Sequence, residues 1–163
     1  MPNLRPLRQF YCDECGKLIE SVDGGAVEYL YSPGEGAKPT KIWSFRIVHS
    51  ILASPKDSCS HDESHFISGK STSSMELNLG RYLGHQGVSR LLAILEACRS
   101  GVMQFKDDKE FGEFLDVFRR LQIPYYEEAR LLLEEDERTT GTMASDDLKS
   151  IVESDSSHSS TRM

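Results

Sequence analysis

The chain has 163 residues, with 19 Lys/Arg, 26 Asp/Glu and a formal net charge of −7 at pH 7. That length suits one domain of roughly 100–200 residues, and 38% apolar residues suffice for a modest core. No apolar run approaches the roughly 18 residues of a membrane helix, and no apolar stretch follows the first six residues to make a secretory signal.

A cytoplasmic location is therefore expected, with the four cysteines reduced rather than paired as a disulfide scaffold. The charge is unevenly placed. Residues 1–101 carry eleven Lys/Arg and eleven Asp/Glu, whereas residues 102–163 carry eight and fifteen. Proteins that grip phosphates need clustered basic surface, and Arg119-Arg120 is the only basic pair. Nucleic acid is thus a disfavoured partner, and the acid excess reads as a solvated face.

Residues 9–49 read as strands. The aromatic run Gln9–Cys12 leads into Asp13-Glu14-Cys15-Gly16, then Lys17–Glu20 and the turn Asp23-Gly24-Gly25. Ala26–Tyr31 is rich in β-formers, and Ser32–Pro39 is a Pro/Gly loop. Ile42–His49 is the clearest strand, and period two puts Trp43, Phe45, Ile47 and His49 on one face. Residues 53–65 are polar with few apolar anchors, and Phe66-Ile67 could make a short strand. A loop of this length is uncommon in a compact domain unless something ties it down.

Helices are expected from residue 74. Ser73-Ser74-Met75-Glu76 matches a capping box for a short helix through Met75 and Leu79. Gly84 and Gly87 bracket a turn. Val88, Leu91, Leu92, Leu95 and Cys98 form the stripe of an amphipathic helix ending near Gly101. Asp107 caps the next helix, with the stripe Phe111, Phe114, Leu115, Phe118 and Leu121. Pro124 suits the first turn of a third, with Glu127 and Glu128 at its positive end, running to about Arg138. The short Gln122-Ile123 link predicts an antiparallel helical hairpin. Of the 25 residues from Thr139, eleven are Ser or Thr, which predicts a disordered tail, with a transient turn or two between Asp146 and Glu153.

The sharpest chemical feature is Cys12-Asp13-Glu14-Cys15-Gly16. Two thiolates two residues apart can face one ion, and the following glycine lets backbone N–H groups turn toward sulfur, as in tetrahedral zinc knuckles. Cys59 lies in the loop that needs an anchor and is the expected third ligand. His49 is the favoured fourth ligand, because an unpaired imidazole would be costly to bury on its strand; His61 and then His65 are alternatives. Other readings of the pair are ordinary reduced thiols or a redox pair, although Asp13 and Glu14 between the sulfurs disfavour a thiolate. Cys98 reads as a core thiol. Four protein ligands leave no open position, so the ion would be structural. No phosphate loop, HExxH or nucleophile motif is present, and no catalytic residue is assigned.

The Cys12-x-x-Cys15-Gly16 knuckle, followed by hairpins and a distant Cys59, resembles the broad class of zinc-ribbon and zinc-knuckle domains over about residues 9–66. The segment Phe45–His49 with Cys59, and Leu83–Val88 ahead of Leu91-Leu92, is also similar to small bacterial proteins of this size.

The expected architecture is α+β: a small antiparallel β region tied by zinc (9–66), then three or four helices including the hairpin (74–138), together one domain over 1–138, then the tail (139–163). The expected function is a non-enzymatic, zinc-stabilised binding or regulatory module with a protein partner and no membrane contact. A zinc-dependent nucleic-acid-binding regulator and a hydrolytic or thiol-based enzyme are the alternatives.

Overall fold

A computed structural model describes residues 4–53, 59–60, 72–133 and 144–159, with the side chains of the last stretch described to Asp155. Two short strands, β1 (Phe10–Tyr11) and β2 (Leu18–Ile19), form an antiparallel ribbon around the cysteine turn. The main sheet holds β3 (Gly25–Ser32), β4 (Thr40–His49), β5 (Ser73–Asn78) and β6 (Met103–Phe105), in the order β5-β3-β4-β6. β3 pairs antiparallel with both β4 and β5, and β6 joins β4 in parallel. The helices are α1 (Gly84–Arg99), α2 (Asp108–Gln122), α3 (Tyr126–Ala129) and α4 (Ser145–Ser159). The α+β class therefore holds, with one parallel strand pair that the sequence reading did not include.

The strand β4 breaks its own alternation. Glu28 pairs with Arg46, but Leu30 pairs with Trp43, so β4 carries one extra residue there. Ser44 takes a left-handed φ of 57° at this point, a conformation that one class of β-bulge uses, ordinarily with glycine. The consequence is a change of face: Ile42, Phe45 and Ile47 are buried, while Trp43 is only half-buried and sits under the Lys106 ammonium, 5.8 Å from its ring centroid. Trp43 therefore does not share the buried face predicted by simple period two. Phe45 stacks on Tyr29 at 4.6 Å and meets Phe114 of α2 edge-on at 5.1 Å. These rings join the sheet to α2.

Residues 73–78 form a strand, not the capped helix predicted. Met75, Leu77 and Leu79 alternate, and β3 supplies a hydrogen-bonding edge that outweighs a local cap signal. A 3-10 turn, Leu79–Tyr82, carries the chain into α1. There Gly87 is obligatory for packing, since a Cβ would stand 1.9 Å from the Tyr82 carbonyl oxygen. Ile94 packs in the core, whereas Leu92 of the expected stripe faces outward. Asp107 caps α2, its carboxylate accepting from the Glu110 N–H at 3.0 Å. Phe114, Val117 and Leu121 bury fully, and Phe111 stays partly exposed.

The third helix is shorter than predicted. α3 has one turn, Tyr126–Ala129, preceded by Tyr125 at φ 68°, and residues 130–133 continue as a turn. The predicted continuation to Arg138 extends beyond the described residues, as does the Phe66-Ile67 strand. In place of a tail disordered throughout, residues 145–159 form α4. Its Leu148 and Val152 bury against Tyr126 and Ala129 in a cluster separate from the main core. The apolar residues that look scattered in sequence fall one helical turn apart, which composition alone does not register.

Candidate metal centre

The β1–β2 turn presents the cysteines. Cys12 N–H donates to the Lys17 carbonyl at 3.0 Å and Gly16 N–H to the Cys12 carbonyl at 2.9 Å. Gly16 has φ 67°, a conformation that suits glycine and closes the knuckle. His49 ends β4, and Cys59 reaches the same point from the loop that follows. The thiol and imidazole ligand atoms of Cys12, Cys15, His49 and Cys59 all lie within 4.8 Å of one another. His49 Nδ1 is 3.5 Å from Cys15 Sγ and 3.7 Å from Cys59 Sγ. Its other nitrogen, Nε2, lies 3.4 Å from the Leu18 carbonyl oxygen. A proton on Nε2 can thus be donated to that carbonyl, leaving Nδ1 as the lone-pair donor facing the sulfurs.

Cys12, Cys59 and His49 are buried, and Cys15 is exposed. Burial pushes the Cys59 thiol up to about 12, and hydrogen bonds with Cys15 and Cys12 add to the rise. Burial would also raise Cys15. The Lys17 backbone N–H, with hydrogen bonds from Cys12 and Cys59, outweighs it and holds Cys15 below the ordinary thiol range. Sulfurs that share protons at this spacing are a donor set that a cation can occupy by displacing those protons. His61 and His65, the alternative ligands, lie outside the described residues. Cys98 is half-buried against the main core on α1 and stands apart from the cluster.

Sequence reasoning missed what holds the knuckle against the fold. Asp13 and Glu14, between the cysteines, are both ion-paired. Arg120, buried on α2, donates from Nη1 to both Asp13 oxygens at 2.8 and 2.7 Å. It donates from Nη2 to the Tyr11 carbonyl at 2.8 Å and to Glu127 Oε1 at 3.0 Å, and from Nε to Glu127 Oε2 at 2.6 Å. Burial would lower the Arg120 pKa, but the Glu127 and Asp13 carboxylates outweigh it and raise it. Glu127 in turn accepts from the Tyr11 N–H at 2.8 Å. Asp13 closes the arrangement on β4: its N–H donates to the Ile47 carbonyl at 2.8 Å, and its Oδ2 accepts from the Ile47 N–H at 2.6 Å.

A second arginine braces the other side. Arg46 Nη1 donates to Glu14 Oε2 at 2.6 Å, its Nε to the buried Glu28 Oε2 at 2.8 Å, and its Nη2 to the Cys59 carbonyl at 3.2 Å. The acids between the sulfurs are therefore neutralised by guanidinium groups, which weakens the sequence argument that they oppose a thiolate. A signal for Arg120 was present: it lies three residues beyond Val117, beside the buried stripe of α2.

Comparison of the chain with protein-family models, with curated proteins and with solved structures gives no match. Among the described residues no helix is long and apolar enough to cross a membrane.

Proposed function

We propose that Cys12, Cys15, His49 and Cys59 hold one structural zinc ion, and that the protein is a non-enzymatic, zinc-stabilised binding or regulatory module acting through protein contacts. One observation carries the zinc reading. With Zn–S near 2.3 Å and Zn–N near 2.0–2.1 Å, a tetrahedral angle demands a sulfur–nitrogen separation of about 3.6 Å. Two of the three sulfur–nitrogen separations at His49, those to Cys15 and Cys59, are 3.5 and 3.7 Å, and Cys12 Sγ lies within 4.8 Å of the other ligand atoms. Three sulfurs and one imidazole also match the donor preference of zinc over magnesium or calcium.

A structural role follows from the ligand count, because four protein ligands fill a tetrahedron. The ion would join three sequence-distant pieces: the β1–β2 knuckle, the end of β4 and the loop at Cys59. Zinc sites of this kind contribute on the order of 10–16 kcal/mol in small peptides, comparable with the roughly 5–15 kcal/mol of a whole domain. The binding role rests on the same reading, in which the ion stabilises a scaffold. Metal analysis of protein purified without chelator tests the proposal. One zinc per chain is expected; no bound metal, or an oxygen-preferring ion in its place, overturns it.

A further inference from the structure

The four clustered ligands do not meet solvent alike. Cys12, His49 and Cys59 are only 2%, 7% and 1% exposed, whereas Cys15 is an exposed residue. A reagent in solution therefore reaches the Cys15 sulfur ahead of the other two. A thiol that coordinates a cation is deprotonated outright, and the thiolate is the form that attacks an oxidant. An accessible thiolate beside a second cysteine is the usual arrangement of a redox-sensing pair.

Cys12 is that second cysteine. The two belong to one turn, closed by the Gly16 N–H on the Cys12 carbonyl at 2.9 Å, and their sulfurs lie within 4.8 Å of one another. Cys-X-X-Cys is the spacing at which disulfide oxidoreductases make and break a bond inside one turn.

The seat of the knuckle does not depend on an ion. Asp13, between the two sulfurs, is held by Arg120 and by the N–H and carbonyl of Ile47. Cys59 is anchored elsewhere: its carbonyl accepts from Arg46, and the neighbouring Ser60 hydroxyl donates to Glu76 at 3.1 Å. A metal shared by these sulfurs links two separately anchored pieces through their side chains.

We propose that Cys15 is the oxidation site of a redox-sensitive zinc switch, in which hydrogen peroxide converts Cys12 and Cys15 to a disulfide and the ion is released. The proposal rests on the zinc reading and adds its regulation. The Cys15 thiolate attacks one peroxide oxygen; an S–O bond forms, the O–O bond breaks, and a sulfenic acid and one hydroxide result. The Cys12 thiolate then attacks the Cys15 sulfur; the S–S bond forms, the S–O bond breaks, and a second hydroxide leaves. The two sulfurs lose two electrons, and one hydrogen peroxide gains them. His49 and Cys59 remain, two ligands where a structural site uses four. The knuckle keeps its place on α2, while Cys59 loses its tie to it. A dithiol reductant reverses the change.

The test adds hydrogen peroxide to the full-length, zinc-loaded protein. Zinc is measured on the protein beforehand and in solution afterwards, and peptides are mapped by mass spectrometry with and without dimedone, which traps sulfenic acid. Release of one zinc per chain is expected, with the first dimedone adduct on Cys15, a Cys12–Cys15 disulfide, and zinc rebinding after dithiothreitol. Cys15→His keeps four ligands, two sulfurs and two imidazoles, without the exposed thiolate, and should slow release at least tenfold. Cys98→Ser should release zinc at the parent's rate. Zinc retained under peroxide, a first adduct on another cysteine, a different disulfide, or parent-like release from Cys15→His overturns the switch alone. Should Cys15→His not load with zinc, the adduct and the disulfide of the parent decide. Absence of zinc before peroxide is added overturns the metal reading, and the switch falls with it.

Discussion

Arg120 donates to both oxygens of Asp13, at 2.8 and 2.7 Å across 107 positions of sequence, and Asp13 lies between two of the clustered cysteines. The knuckle is thus seated on α2 by an ion pair whose guanidinium is buried and whose carboxylate is partly exposed. Arg120 also pairs with buried Glu127, and removing a partner of a buried pair costs much, because the surviving charge stays in a dry site. Arg120→Ala should therefore lower stability by about 3–5 kcal/mol, read from the midpoint of urea unfolding of the metal-loaded protein. A loss below 1 kcal/mol would show that Arg120 does not hold the knuckle in place.

The four-residue ligand set makes a sharper demand. Cys12→Ser and His49→Ala should each abolish stoichiometric zinc, whereas Cys98→Ser and His61→Ala should leave about one zinc per chain. Elemental analysis after gel filtration separates these outcomes. Zinc retained in the His49 variant and lost in the His61 variant would transfer the fourth position to the loop.

Gly87 has a steric role, with a would-be Cβ 1.9 Å from the Tyr82 carbonyl oxygen. Gln122 donates to the same carbonyl, so the carbonyl cannot move aside without losing that bond. Gly87→Ala should destabilise by about 1–3 kcal/mol as an overpacking change, despite the better helix propensity of alanine. A thermal midpoint equal to or above that of the parent would refute the contact.

Helix α4 depends on a small apolar contact. Leu148 and Val152 pack on Tyr126 and Ala129 apart from the main core. Leu148→Ala should cost about 2–5 kcal/mol at that contact, seen as faster amide exchange in α3 and α4 while β3 and β4 keep their protection. Uniform acceleration would show that α4 is an integral part of the main core.

Glu128 gives the pH dependence a sign. Burial raises its carboxyl pKa; the Leu4 N–H works to lower it, and Asp155 of α4 adds to the rise. The folded chain therefore holds this proton more tightly than the unfolded chain. That stabilisation is fully present below the unfolded carboxyl pKa and is lost as pH rises through the higher folded one. Glu128→Gln should raise the melting temperature at pH 7 relative to the parent and narrow the difference toward pH 4. An unchanged difference between the two pH values would contradict the assignment.

Much of the site was legible because its chemistry is local. A Cys-x-x-Cys-Gly turn can be read from five consecutive residues, and His49 stands at the end of a strand whose pattern is plain. Cys59 was reachable because a long polar loop needs a tie. The α1 and α2 helices followed from their apolar period and the Asp107 cap.

What the sequence determined by itself was therefore the set of donors and the segments that could carry them: short-range geometry is encoded in neighbouring residues. Tertiary structure decided the rest. It turned residues 73–78 from a capped helix into a strand by offering the edge of β3, and it rotated Trp43 away from the core through the Ser44 bulge. It ordered α4 by giving Leu148 a partner, and it converted Asp13, Glu14, Arg46 and Arg120 from dispersed charges into braces. Each of those outcomes depends on groups far apart along the chain. Their interaction energy exists only once folding has brought them into a common, poorly solvated space.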